Sequence, residues 1–103
     1  MIQLIENNDI QLFGLCQKYS VEKLYLFGSA VTDQFTDSSD IDLAVVFKNT
    51  LSPIERGEAY FELLEALENL FNRKVDLVSY EVVKNPVFKE ELDKTKLTLY
   101  AAA

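Results

Sequence analysis

The stretch Ile41-Asp42-Leu43-Ala44-Val45-Val46-Phe47 decides how the chain folds. It is apolar at every position but Asp42, a pattern that predicts a strand buried on both faces. Upstream, Leu24-Tyr25-Leu26-Phe27 predicts a first strand ending at Gly28-Ser29. Between the two runs, residues 32–39 are rich in Asp, Ser and Thr and read as turn or loop. Downstream, Ser52-Pro53 is a helix start, with Glu55 and Glu58 suited to the first turns. That helix shows Tyr60, Leu63, Leu64, Leu67, Leu70 and Phe71 at three- and four-residue spacing, an apolar stripe facing a core.

A third strand follows from Lys74 to Tyr80. Asn85-Pro86 opens a short helix to about Asp93, and Lys96 to Tyr100 reads as a short terminal strand at an edge. Before all of these, Asn8 and Asp9 can cap a helix carrying Ile10, Phe13, Cys16 and Tyr19 about once per turn. Ala101 to Ala103 carry no reading. Helices alternating with buried strands imply a layered α/β domain packed around one central sheet. Periodicity leaves strand order and direction open.

The chain has 103 residues, 49% of them hydrophobic, and a net charge of −7. One small domain with its own core is expected. An acidic chain without a basic run is poorly suited to long nucleic acid, whose binding rests on Lys and Arg contacts to phosphates. With no His and one Cys, zinc sites built from those ligands are excluded. Cys16 lies among Leu12, Phe13, Leu15 and Tyr19 and reads as core. The N-terminus lacks a basic region and a long apolar run, so it is no signal peptide, and no stretch is long enough to span a membrane. A cytoplasmic protein is expected by default.

Against this background two strands carry carboxylates where apolar residues would serve better. Asp40 and Asp42 flank the start of one strand, two residues apart and therefore on the same face. Asp76 lies between Val75 and Leu77 on the next. Two unit charges about 5 Å apart repel by about 3 kcal/mol at an effective dielectric of about 20. If the strands are neighbours, three carboxylates meet on one face, and a divalent cation relieves the repulsion. Oxygen-only ligands suit Mg²⁺ or Mn²⁺. Taken singly, each feature has a plainer explanation: Asp-x-Asp as turn chemistry, Asp76 as a partner for Arg73 or Lys74, Gly28-Ser29 as a strand end. Gly28 fits a sharp turn or a ligand's close approach. Ser29, if it opens a short helix at 29–33, offers a hydroxyl and free N–H groups to an anion.

These residues resemble a family. Leu26-Phe27-Gly28-Ser29, ten residues, then Asp40-Ile41-Asp42-Leu43 is similar to the Gly-Ser-x10-Asp-x-Asp signature of the DNA polymerase β-like nucleotidyltransferases. Ser39 and Leu43-Ala44-Val45 match its usual surroundings, and Asp76 stands where that family keeps a third carboxylate. The short chain most resembles the minimal nucleotidyltransferases, commonly antitoxins paired with a HEPN-domain toxin. The resemblance implies a single domain over residues 1–103 with a mixed sheet of about four strands flanked by helices. It further implies ATP as substrate, two Mg²⁺ ions, and AMP transfer to a hydroxyl of a partner protein. By motif position Asp40, Asp42 and Asp76 would hold metal, with Asp76 also helping to deprotonate the acceptor. Gly28 and Ser29 would bind triphosphate oxygens.

One departure stands out. Many members read Gly-Ser-x-Ala-Arg-Gly, whereas here Thr32 and Asp33 replace the Arg and the final Gly. An antitoxin acting by contact alone is therefore the alternative to an enzyme. A small-molecule (antibiotic) transferase is a weaker third reading, since so short a chain has little wall for an acceptor pocket unless a homo-oligomer supplies it. Phe13, Tyr25, Phe27, Tyr60, Phe61, Phe71 and Tyr80 read mostly as packing, any exposed remainder being free to stack an adenine or meet a partner. Lys84, Lys89, Lys94 and Lys96 read as a solvated face.

Overall fold

The apolar run Ile41–Phe47 forms the expected strand, and the other elements organise around it. A computed structural model describes residues 2–28, 40–80 and 85–102. Its element order is α1 (Ile2–Asn7), α2 (Asp9–Lys18), β1 (Val21–Phe27), β2 (Ile41–Phe47), α3 (Pro53–Phe71), β3 (Val75–Ser79), α4 (Pro86–Thr95) and β4 (Leu97–Ala101). The strands form one mixed sheet in the order β3-β2-β1-β4. β2 pairs antiparallel with β1 and parallel with β3, and β4 returns antiparallel to β1. A parallel neighbour needs a crossover, which α3 supplies.

Alternation along the strands divides the apolar side chains between two faces. Ile41, Leu43, Val45 and Phe47 of β2 join Leu24 and Leu26 of β1 and Val75 and Leu77 of β3 on one face. Leu12 and Cys16 of α2 and Ala59, Leu63, Leu67 and Phe71 of α3 cover them. Val21 joins this face out of step with Leu24, because the pairing of β1 with β2 slips between Val21 and Lys23. On the other face Tyr25, Phe27 and Ala44 form a smaller cluster with Leu92 of α4, flanked by Val46, Val78 and Tyr80. This second face also carries the carboxylates.

α3 starts where the sequence indicates. Ser52 Oγ accepts from Glu55 N at 3.2 Å, and Glu55 Oε1 accepts from Ser52 N at 2.9 Å, a reciprocal box that satisfies two otherwise orphaned donors. Asn72 ends the helix with a left-handed φ of 50°, a conformation Asn tolerates better than most residues. Asn85 caps α4, its Oδ1 accepting from Val87 N and Phe88 N.

Several expectations need correction. The N-terminal helix α1, beginning at Ile2, is not signalled by any apolar stripe of useful length. In α2 the buried positions are Leu12 and Cys16, whereas Ile10 is 80% exposed and Phe13 is also exposed. Leu12 and Cys16 are four apart and share a face, whereas Ile10 lies on the opposite side of the helix. Phe61 is 69% exposed rather than core; it follows the half-buried Tyr60 and points off the stripe. Ala101 belongs to β4 opposite Lys23, and Ala102 N donates to Glu22 O at 2.8 Å. Lys84 lies outside the described residues. Lys94 pairs with Glu90 at the surface, but Lys96 is held against Asp93. Cys16 is core as expected, its thiol pushed up to about 12 by burial. No described helix is long and apolar enough to cross a membrane.

These burial differences give a direct stability test. Leu67→Ala, at a fully buried position, is expected to cost about 2–5 kcal/mol. Phe61→Ala is expected to stay within about 0.5 kcal/mol of the parent. Urea denaturation of the two variants checks the contrast.

Candidate active site

The parallel register of β2 and β3 sets the candidate site. It places Asp42 directly opposite Asp76, with Ile41 opposite Val75 and Leu43 opposite Leu77. Neighbouring strands lie about 4.8 Å apart, so the two carboxylates project side by side from one sheet face. Asp40, two residues before Asp42, extends the same row of alternation into the segment preceding the strand.

Three interactions fix this register, and none was anticipated from the sequence. Ile41 N donates to Lys74 O at 3.1 Å, joining the starts of the two strands. Glu68 Oε2, on α3, accepts from Val75 N at 3.1 Å and anchors the residue before Asp76. Tyr60, also on α3, donates its hydroxyl proton to Leu77 O, just beyond Asp76. The helix preceding β3 thus grips that strand on either side of its carboxylate. The only sequence signal was proximity: Glu68 lies in the last turn of a helix that Asn72 ends three residues before the next strand begins.

Electrostatically the row is loaded. Asp42 is held above the usual carboxylate range, first by partial burial, then by the charge of Asp76, then by that of Asp40. The charge of Asp76 also adds to burial in raising the Tyr60 phenol. Asp40 and Asp76 are themselves exposed. Among the described residues no three metal-ligating side chains form a ready-made metal cage. What the fold does bring together is oxygen-only donors that repel one another, a set that suits a hard divalent cation.

Gly28 is required here for a reason the sequence did not give. Its φ is +71°, in the region that L side chains avoid. A Cβ placed on it would lie 2.5 Å from Asp42 Oδ2. Phe27, just before it, is the cross-strand partner of Asp42, so the turn out of β1 passes close beside that carboxylate. The glycine makes room for Asp42. Ser29, the other expected nucleotide contact, lies outside the described residues, as do Thr32, Asp33, Asp37 and the short helix expected at 29–33.

Comparison with known proteins agrees with this geometry. The family model for "Polymerase beta, Nucleotidyltransferase" matches residues 10–103. The chain belongs to this nucleotidyltransferase family. Its four-stranded mixed sheet with flanking helices is the fold of that family, and the chain is a nucleotidyltransferase of the minimal type. It is 36% identical over 80 residues to a Methanocaldococcus jannaschii protein provisionally assigned as a protein adenylyltransferase, covering 78% of each chain. It superposes on a toxin–antitoxin crystal structure with AMP-PNP at a TM-score of 0.70 and 27% identity, covering 92% of this chain and 74% of that one. A second similar structure is the tri-AMPylated Shewanella oneidensis HEPN toxin in complex with MNT antitoxin, with a TM-score of 0.64, 25% identity and coverage of 94% and 72%.

Two variants probe the site without substrate. Between the unfolded and the raised native pKa of Asp42, the native nucleotidyltransferase binds more protons than the unfolded chain. Stability therefore falls as pH rises through that interval and stays lower above it. Asp42→Asn is accordingly expected to raise Tm at pH 7 in EDTA, the gain shrinking towards about pH 4. Gly28→Ala should destabilise by about 1–2 kcal/mol from its backbone alone, and further from the Asp42 clash. Denaturation of Gly28→Ala in an Asp42→Ala background should recover the clash component and leave the backbone component.

Proposed function

We propose that the chain transfers AMP from ATP to a hydroxyl of a partner protein, with Mg²⁺, as the antitoxin of a HEPN toxin pair. The observation that carries the reading is the in-register Asp42–Asp76 pair, with Asp40 two residues before Asp42 in the same alternation. Retaining such a pair costs stability unless positive charge arrives with a ligand. The similar complexes with AMP-PNP and with an AMPylated HEPN toxin support the choice of adenine nucleotide and of partner.

In this reading Asp40, Asp42 and Asp76 would hold the cation, with Asp76 also serving the acceptor hydroxyl. When bound, the cation offsets the charge of triphosphate and carboxylates and stabilises charge developing in transfer. The chain's own part is positioning. By motif position Gly28 and Ser29 would bind triphosphate oxygens. The Asp76 carboxylate accepts the proton of the acceptor hydroxyl as its oxygen attacks the α-phosphorus, and pyrophosphate leaves with the electrons of the broken P–O bond. Glu68, Tyr60 and the Ile41–Lys74 bond act indirectly, by holding Asp76 opposite Asp42.

A contact-only antitoxin is the competing reading, favoured by Thr32 and Asp33 replacing the usual Arg and Gly. The two separate on label transfer. Purified protein, Mg²⁺ and each α-labelled nucleoside triphosphate are incubated with and without the HEPN-domain partner. Label from ATP is expected on the partner, and Asp76→Asn is expected to reduce it by about 10²–10³-fold. A stable complex with no label transferred from any nucleotide would establish the contact-only reading instead.

A further inference from the structure

Helix α4 lies on the carboxylate face, and its sequence fixes how it sits there. Phe88 and Leu92 are four residues apart and share one side of the helix. Leu92 is almost completely buried against Tyr25, Phe27 and Ala44. Beyond it, a polar lock holds the C-terminal end of the helix. Tyr80 donates its hydroxyl proton to Asp93 Oδ1 at 2.6 Å, and Lys96 Nζ donates to the same oxygen at 3.1 Å. Lys96 also lies 4.8 Å over the ring of Tyr25 and 5.1 Å over that of Tyr80. With that end fixed, Phe88 extends towards the carboxylate end of the sheet.

Its place there follows from the register. Asp76, Asp42 and Phe27 are successive cross-strand partners on β3, β2 and β1, a single row across one face. The ring of Phe88 packs on Phe27 at 5.8 Å between centroids and an interplanar angle of 89°. Packing does not consume it, for Phe88 remains 39% exposed. Phe13 and Phe61 are also exposed, but they lie on α2 and α3, which cover the opposite face. An exposed aromatic beside the carboxylate row is out of place in a chain that buries Tyr25 and Phe27 on the same face.

We propose that Phe88 is the stacking surface for the nucleobase, α4 forming the wall of the nucleotide site beside Phe27. The inference rests on the nucleotidyl-transfer reading above and adds a residue to it. A triphosphate held at Asp42 and Asp76 leaves its nucleoside free to extend along the row towards β1, where Phe88 offers an apolar ring. Stacking on an aromatic ring tolerates any base, so Phe88 supplies affinity for the nucleoside more than a choice among bases.

The test compares Mg²⁺·ATP with Mg²⁺·tripolyphosphate, which lacks base and sugar, by isothermal titration calorimetry on the full chain. Phe88→Ala is expected to weaken ATP binding about tenfold and leave tripolyphosphate binding unchanged. Phe88→Leu keeps an apolar contact with Phe27 without a planar ring, and should weaken ATP binding similarly. It also serves if the alanine variant folds poorly. Phe88→Trp should bind ATP as the parent does. Equal weakening for both ligands would mean that Phe88 acts only by holding α4, and overturns the proposal, as does unchanged ATP binding in the alanine and leucine variants. A parent protein that binds neither ligand would overturn the nucleotidyl-transfer reading itself, and this inference with it.

Discussion

The parallel pairing of β2 with β3 is the constraint on which the rest depends. It sets Asp42 against Asp76 at the spacing of neighbouring strands, between the apolar pairs Ile41–Val75 and Leu43–Leu77. A slip of one residue would turn Asp76 toward α3 and break the apolar layer of Val75 and Leu77. Burial of those two residues therefore enforces the alignment of the carboxylates. Hydrophobic packing on one face thus holds together a repulsive arrangement on the other.

The surrounding structure accommodates that repulsion locally. The turn out of β1 runs through a glycine because a side chain there would meet the Asp42 carboxylate. α3 contributes a backbone clamp through Glu68 and Tyr60. α4 adds the deeply buried Leu92 and a polar lock at Tyr80, Asp93 and Lys96. In that lock the Asp93 carboxyl is held low, first by the Tyr80 hydrogen bond and then by that from Lys96.

Much of this was legible in the sequence, for identifiable reasons. β2 is unmistakable because burial on both faces leaves an apolar run broken only by Asp42. α3 is equally clear because its cap, proline and stripe agree. The carboxylates stood out because they interrupt strands that gain nothing from them. Asp42 and Asp76 as direct neighbours could not be read, since strand order depends on contacts between distant segments. For the same reason β4, last in the chain, could not be assigned a place beside β1. The stripe of α2 is ambiguous in sequence because Ile10 and Phe13 resemble core residues in type, and only the docking of α2 on the sheet selects Leu12 and Cys16. Gly28 reads as permissive in sequence, but the carboxylate it accommodates is a tertiary neighbour that spacing does not name.

The central claim is that the β2–β3 register creates a carboxylate site stabilised by a divalent cation. Thermal unfolding across a MgCl₂ titration, without nucleotide, tests it most directly, because a ligand that binds only the native state raises Tm, and the rise grows with the logarithm of ligand concentration above Kd. The account expects Tm of the parent protein to rise with Mg²⁺, and this rise to be largely lost in Asp76→Asn. A rise of the same size in both proteins, or none in the parent, would contradict it.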